Sequence, residues 1–137
     1  MRRTSKRPAT KAGRNKVRPR SFVIQDPVFR TSHLIGCGLS LPIVIRKFEK
    51  LSKLVIPKEN YEPGTSNARM IARCGSGGSG LIWFREACPS ASIIAHEAFH
   101  LAYFVLSERD TPLCEATEEV YAYFQQFIIT QIVNKVW

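Results

Sequence analysis

Three residues in the second half of the chain have types and spacing that could do chemistry. His96, Glu97 and His100 stand in the order His-Glu-Ala-Phe-His. On a helix, residues i and i+4 lie one above the other on the same face, so both imidazoles can address one ion. Glu97 lies about 100° around the helix from His96. It sits beside such an ion rather than on it, placed to take a proton from a water the ion holds. This is the His-Glu-x-x-His signature of zinc hydrolases, with two histidine ligands and a glutamate general base. The motif is short, and a pair of accidental core histidines is the competing explanation. Its surroundings argue against that. Ile93, Ile94, Ala95, Ala98, Phe99, Leu101, Ala102, Tyr103, Phe104, Val105 and Leu106 make the segment apolar on nearly every face. Such a segment predicts a helix buried in the centre of its domain. Three ionisable groups there would be costly unless paired or metal-bound.

Catalytic zinc takes three protein ligands and keeps a fourth position for water, so a third ligand is needed. Glu115, Glu118 and Glu119 crowd the next element. Thr111 can cap a helix with Pro112 at its first position, and that helix is predicted to run to about Lys135. The short turn makes the two helices an antiparallel hairpin and brings the acids back alongside the histidines. Glu115 and Glu119 are then i and i+4 on one face, with Glu118 about 100° from Glu119. One of Glu115 and Glu119 is expected to be the ligand, the other to accept a histidine N–H. Enrichment of acids at a helix N-terminus for dipole reasons would account for Glu115 but less well for Glu119, beyond the first turn. Tyr123, one turn past Glu119, is a candidate oxyanion donor, with Tyr121 and His33 behind it.

The elements that must position these groups can be read from the same sequence. Pro89 and Ser90 mark the start of the motif helix, with Ser90 or Ser92 as N-cap, and it runs from Ala91 to Leu106. Ser21–Gln25 and Val28–Gly36 read as extended, broken by Asp26-Pro27. Pro42 suits the first turn of a helix over about 41–53. Ile43, Val44, Phe48, Leu51 and Leu54 form its apolar side, while Arg46, Lys47, Lys50 and Lys53 fill the other and read as a solvated face. Arg69–Cys74 predicts a strand. The run Gly75-Ser-Gly-Gly-Ser-Gly80 lacks the Lys-[Ser/Thr] ending of a phosphate loop and leads into the strand Leu81-Ile82-Trp83-Phe84, so it reads as a hairpin connection. If Leu81–Arg85 is a sheet edge, an extended peptide could add to it as a strand. The expected fold is α+β: a small, mostly antiparallel sheet packed on the motif helix and a second long C-terminal helix.

Composition sets the outer bounds. The 137 residues suit one domain, and a hydrophobic fraction of 45% is enough for a packed core. No apolar run approaches the roughly 18 residues of a membrane span, and no membrane partner is expected. The formal net charge is +9, from 20 basic and 11 acidic residues. Residues 1–20 hold nine of the basic residues and no acid, which leaves residues 21–137 neutral. The chain therefore divides into a basic arm (1–20), expected to be disordered, and a neutral domain (21–137). The arm has no apolar h-region for secretion and no amphipathic face for a mitochondrial transit peptide, so the chain is expected not to be exported. Mobile Lys and Arg could tether nucleic acid through phosphate contacts, or serve only as a solvated tail. Cys37, Cys74, Cys88 and Cys114 form no close pair and read as thiols rather than as a disulfide framework or a cysteine zinc site.

Asp26-Pro27, the following extended run, Leu81–Phe84, His96-Glu97-x-x-His100 and Glu119-Val-Tyr-Ala-Tyr123 together resemble small phage-encoded metallopeptidases of the zincin group. The resemblance spans about residues 22–133 and leaves out the basic arm. It implies zinc held by His96, His100 and Glu119, with Glu118 as the competitor for the third position. It also implies a protein or peptide substrate, hydrolysis through zinc-bound water with Glu97 as general base, and a location in the host cytoplasm. Two other readings stand beside it. One is a binding or structural protein whose zinc only stiffens the helix pair. The other is a nucleic-acid-associated protein tethered by its arm.

Overall fold

The computed structural model describes residues 17–137; most of the basic arm lies outside them. Four strands and three helices follow in the order β1 (Arg20–Gln25), β2 (Ser32–Cys37), α1 (Leu41–Ser52), β3 (Ala68–Ala72), β4 (Gly80–Phe84), α2 (Ala91–Ser107) and α3 (Glu118–Val136). The class is α+β. The sheet order is β1-β2-β4-β3, with β1–β2 and β3–β4 antiparallel and β2–β4 parallel. β1 begins at Arg20, paired with Cys37, so the last residue of the expected arm belongs to the sheet. No helix among the described residues is long and apolar enough to cross a membrane.

Period-two alternation sends the two faces of the sheet to different helices. Leu34, Ile71, Leu81 and Trp83 pack with Leu41, Val44, Ile45 and Phe48 of α1. Ile35, Cys37, Ile82 and Phe84 pack with Ile94, Ala98, Leu101 and Val105 of α2 and with Phe124, Ile128 and Ile132 of α3. The sheet is thus covered on both faces, whereas the sequence suggested only the motif helix and its partner as its support. Every residue of β4 is buried, as expected of a strand with neighbours on both sides and helices on both faces. The parallel β2–β4 pair requires a long crossover, and α1 with β3 supplies it.

This order corrects one expectation. Leu81–Phe84 is not a sheet edge, because β4 lies between β2 and β3. Its apolar side chains need cover on both faces, which draws it to the centre. The free edges belong to β1 and to β3, and β3 is the strand against which α2 packs.

Local chemistry sets the ends of α2. Ser90 Oγ accepts from Ile93 N at 3.4 Å as N-cap. At the far end the chain does not restart a helix at Thr111-Pro112. Residues 112–117 form a turn in which the Thr117 hydroxyl bonds the Pro112 carbonyl and accepts from Cys114 N at 3.1 Å. This local side-chain-to-backbone bonding competes with helix and delays α3 to Glu118. Glu115 is therefore outside the helix, and the expected i, i+4 pairing of Glu115 with Glu119 does not form.

Candidate metal centre

α2 is not buried on every side. Its core face carries Ile94, Ala98, Leu101, Ala102 and Val105, and its outer face exposes His96, Phe99, His100 and Tyr103. The expectation that burial makes the histidines costly is corrected: the solvent pays their hydration. Glu97 is the motif residue that is buried, at 7% exposure. One step of about 100° around the helix separates the two environments.

The two imidazoles converge. His96 Nε2 and His100 Nε2 are 3.1 Å apart, with ring centroids at 4.7 Å and planes at 76°. Two nitrogens bound to one tetrahedral zinc at about 2.0–2.1 Å would stand about 3.3 Å apart, close to this separation. Phe99 lies 6.3 Å from the His100 ring and 6.3 Å from Tyr103, forming an aromatic flank.

Glu97 is turned under the edge strand. Burial pushes its carboxyl pKa up, and His100, His96, a backbone hydrogen bond from Met70 and the Arg69 guanidinium act in the opposite sense. Arg69 is held by the carbonyls of Glu62 and Pro63 at 3.0 and 3.4 Å. An open cleft of about 390 Å³ lies in front of Glu97, lined by Ser66, Asn67, Ala68, Ser92, Ile93 and His96. A second hollow of about 400 Å³ follows β3 from Arg69 to Arg73. Sequence reasoning did not find the contribution of Asn67, Arg69 and Met70. Their role arises because β3, remote in sequence, is laid across α2, and no local pattern marks that.

The third ligand is not assembled. Among the described residues, no group of three or more His, Cys, Asp or Glu side chains is arranged to hold one ion. Glu115, Glu118 and Glu119 are all exposed. The register of the helix pair is set by Gln125 Nε2 donating to the Ala95 carbonyl at 3.0 Å and by Tyr103 and Tyr121 with ring centroids 6.1 Å apart. The histidines are therefore level with the 121–125 turn of α3. Helical periodicity puts Glu118 on the side of Tyr121 and Gln125, and Glu119 about 100° further round towards solvent. Tyr123 is 69% exposed and lines an apolar groove with Val28, Phe29 and Phe127, on the other side of α3 from the histidines. It is not placed as an oxyanion donor. Tyr121 is buried and donates its hydroxyl to the Thr111 carbonyl at 2.7 Å.

His33 is placed elsewhere, in a buried polar chain of its own. Its Nδ1 accepts from Gly80 N at 3.3 Å, which leaves Nε2–H to donate to Thr31 Oγ1 at 3.0 Å. Thr31 Oγ1 donates onward to Asp26 Oδ2 at 3.2 Å, and Asp26 also accepts from Val28 N and Phe29 N at 2.7 and 3.2 Å. The chain closes the β1–β2 turn and fastens the start of β4. Burial holds the His33 pKa down to about 4, against a smaller opposing effect of Asp26.

Comparison with protein-family models, with curated proteins and with solved structures finds no match to this chain.

Proposed function

We propose that the protein is a zinc-dependent peptidase whose working groups are His96, His100 and Glu97. The observation that carries this reading is the convergence of the two Nε2 atoms at 3.1 Å, with the buried Glu97 beside them opening onto a cleft at a free strand edge. His96 and His100 would hold the ion. Glu118 is the acid whose helix face favours it as a third ligand over Glu119 and over Glu115, which lies in the turn before α3. A bound zinc supplies Lewis acidity towards a carbonyl and brings the pKa of water towards neutrality.

The chain's own residues do the rest. Glu97, whose carboxyl pKa is raised by burial, can accept a proton from water and return it to a leaving amine. The outer edge of β3, apart from the Met70 N–H that Glu97 already takes, can pair an extended peptide and lay it along the hollow from Arg73 towards Ala68, across Glu97. Asn67 and Ser66 at the mouth of the cleft offer polar partners to the same backbone.

The test separates chemistry from metal binding. Protein purified without added metal should hold near one zinc per chain, and His96→Ala or His100→Ala should lose it. Glu97→Gln should keep zinc while cleavage of a broad peptide library falls by about 10²–10⁴. Zinc retained in both histidine variants would overturn the metal assignment. Unchanged cleavage by Glu97→Gln would overturn the assignment of Glu97 as base. One observation favours a second reading, a non-hydrolytic protein stiffened by metal: the described residues assemble two ligands and no third. A zinc-loaded protein that cleaves nothing in the library, yet unfolds at a higher temperature with zinc than without, would favour it.

A further inference from the structure

We infer that the outer face of α1 is a nucleic-acid docking surface that binds the sugar-phosphate backbone. This goes beyond the peptidase reading and uses the opposite side of the sheet from the histidines. α1 buries Leu41, Val44, Ile45 and Phe48 against the sheet. The helical repeat then sends Arg46, Lys50 and Lys53 outward as i, i+4 and i+7, and all three are exposed. They rise about 6 Å and then about 4.5 Å along the axis, roughly three nucleotides of strand rise in all. With Glu49, Leu54 and Val55 they line a shallow hollow of about 470 Å³.

Two structural facts turn this stripe from a solvated face into a coherent cationic surface. The first concerns Glu49, the single acid in α1. Its carboxylate is turned into the following loop, where Oε1 accepts from Ile56 N at 2.8 Å and Oε2 from the Tyr61 hydroxyl at 3.0 Å. Both oxygens are thereby occupied by the fold, and this one carboxylate stands in the hollow against three cations. The second concerns Lys47, which donates to Ser21 Oγ at 2.8 Å. That bond ties the cationic helix to the first residues of β1, where residues 1–20, with nine basic side chains and no acid, join the domain. The segment that carries this charge is joined in sequence to the strand that Lys47 touches, while Arg20 itself turns to the other face of the sheet and donates to the Val136 carbonyl at 3.4 Å.

Phosphate is the group this chemistry recognises. Six of the nine basic residues in 1–20 are arginines, whose planar forks match phosphate oxygens. A membrane surface is the less fitting polyanion. The exposed apolar side chains of this face, Ile43, Leu51 and Val55, include no aromatic, and residues 1–20 hold no aromatic residue to anchor at a lipid interface.

The experiment uses the full chain and two fluorescein-labelled probes, a 20-nucleotide single strand and a 20-base-pair duplex. Binding is followed by anisotropy from 50 to 200 mM salt. The variant Arg46→Gln/Lys50→Gln/Lys53→Gln is compared with wild type. A charge-matched control, Arg30→Gln/Arg109→Gln/Lys135→Gln, removes three exposed cations that lie outside α1 and the loop packed on it. Thermal melts check that both variants fold. The α1 variant should bind at least about 10-fold more weakly at 100 mM salt, and its log K against log salt slope should be shallower by about 2–3, one phosphate contact per cation. The control should change far less. Equal losses in the two variants would overturn the proposal, since net charge alone would then explain them. So would an unchanged slope in the α1 variant, or no binding by wild type at 50 mM salt. Binding to phosphatidylserine vesicles that the α1 substitutions abolish, with nucleic-acid binding intact, would overturn it in favour of a membrane.

Discussion

Acidification from pH 7 to pH 4 is expected to cost this fold about 3 kcal/mol through one residue, His33. Its ring is fully buried, with Nδ1 accepting from Gly80 N and Nε2–H donating to Thr31. A charged imidazole would lose its acceptor and leave water, so burial keeps the folded-state pKa near about 4, against an ordinary value of 6.5. Between these values the unfolded chain binds a proton that the folded chain does not. Stability therefore rises with pH across that window. The contribution is fully present above about pH 6.5 and is lost as pH falls towards about 4. At about 1.4 kcal/mol per pH unit, the gap amounts to about 3 kcal/mol. His33→Gln removes the titration. At pH 7 it should be less stable than wild type by about 1–2 kcal/mol, because Thr31 and Gly80 lose well-placed partners. Near pH 4 the order should reverse, with the variant the more stable protein. Urea unfolding of both proteins at pH 7, 6, 5 and 4, read as the difference between them, cancels the carboxylates they share. A difference that stays constant over this range would refute the reasoning.

Three further outcomes follow from particular contacts. Gly36→Ala should destabilise by about 1–3 kcal/mol, because a methyl there would press on Val44 of α1, with Val44 Cγ1 at 2.8 Å. Gly80→Ala should cost less, since its nearest neighbour is the end of the Leu101 side chain at 2.9 Å; denaturant midpoints would compare the two. Ile128→Ala, at a fully buried site between α3 and α2, should cost about 2–5 kcal/mol, seen in the same measurement. Glu118→Gln should weaken zinc binding at least about 10-fold in competition with a chelating dye, while Glu119→Gln should leave it nearly unchanged; the reverse order would return the third position to Glu119.

Much of the scaffold was legible in the chain, because its signals are local. Leu41-Pro42 starts α1, Ser90 caps α2, Gly75–Gly80 connects β3 to β4, and the apolar run Leu81–Phe84 is a buried strand. The convergence of His96 and His100 is equally local, since the helical repeat alone stacks i on i+4. Tertiary structure decided what depends on contacts remote in sequence. Apolar residues on nearly every face of α2 could not say which side would stay open. That was settled by α3 and the sheet taking the Ile94–Ala98–Leu101–Val105 side and leaving both histidines in solvent. The strand order could not be read either, because β4 is apolar on both faces and its neighbours are chosen by the crossover through α1. The free edge therefore passed to β3, and with it the carboxylate pocket of Glu97. The acids after α2 show the same limit. Glu115, Glu118 and Glu119 are close in sequence. Hydrogen bonds at Thr117 delay the helix, and the docking register set by Tyr121 and Gln125 on α2 leaves none of the three assembled with the histidines among the described residues.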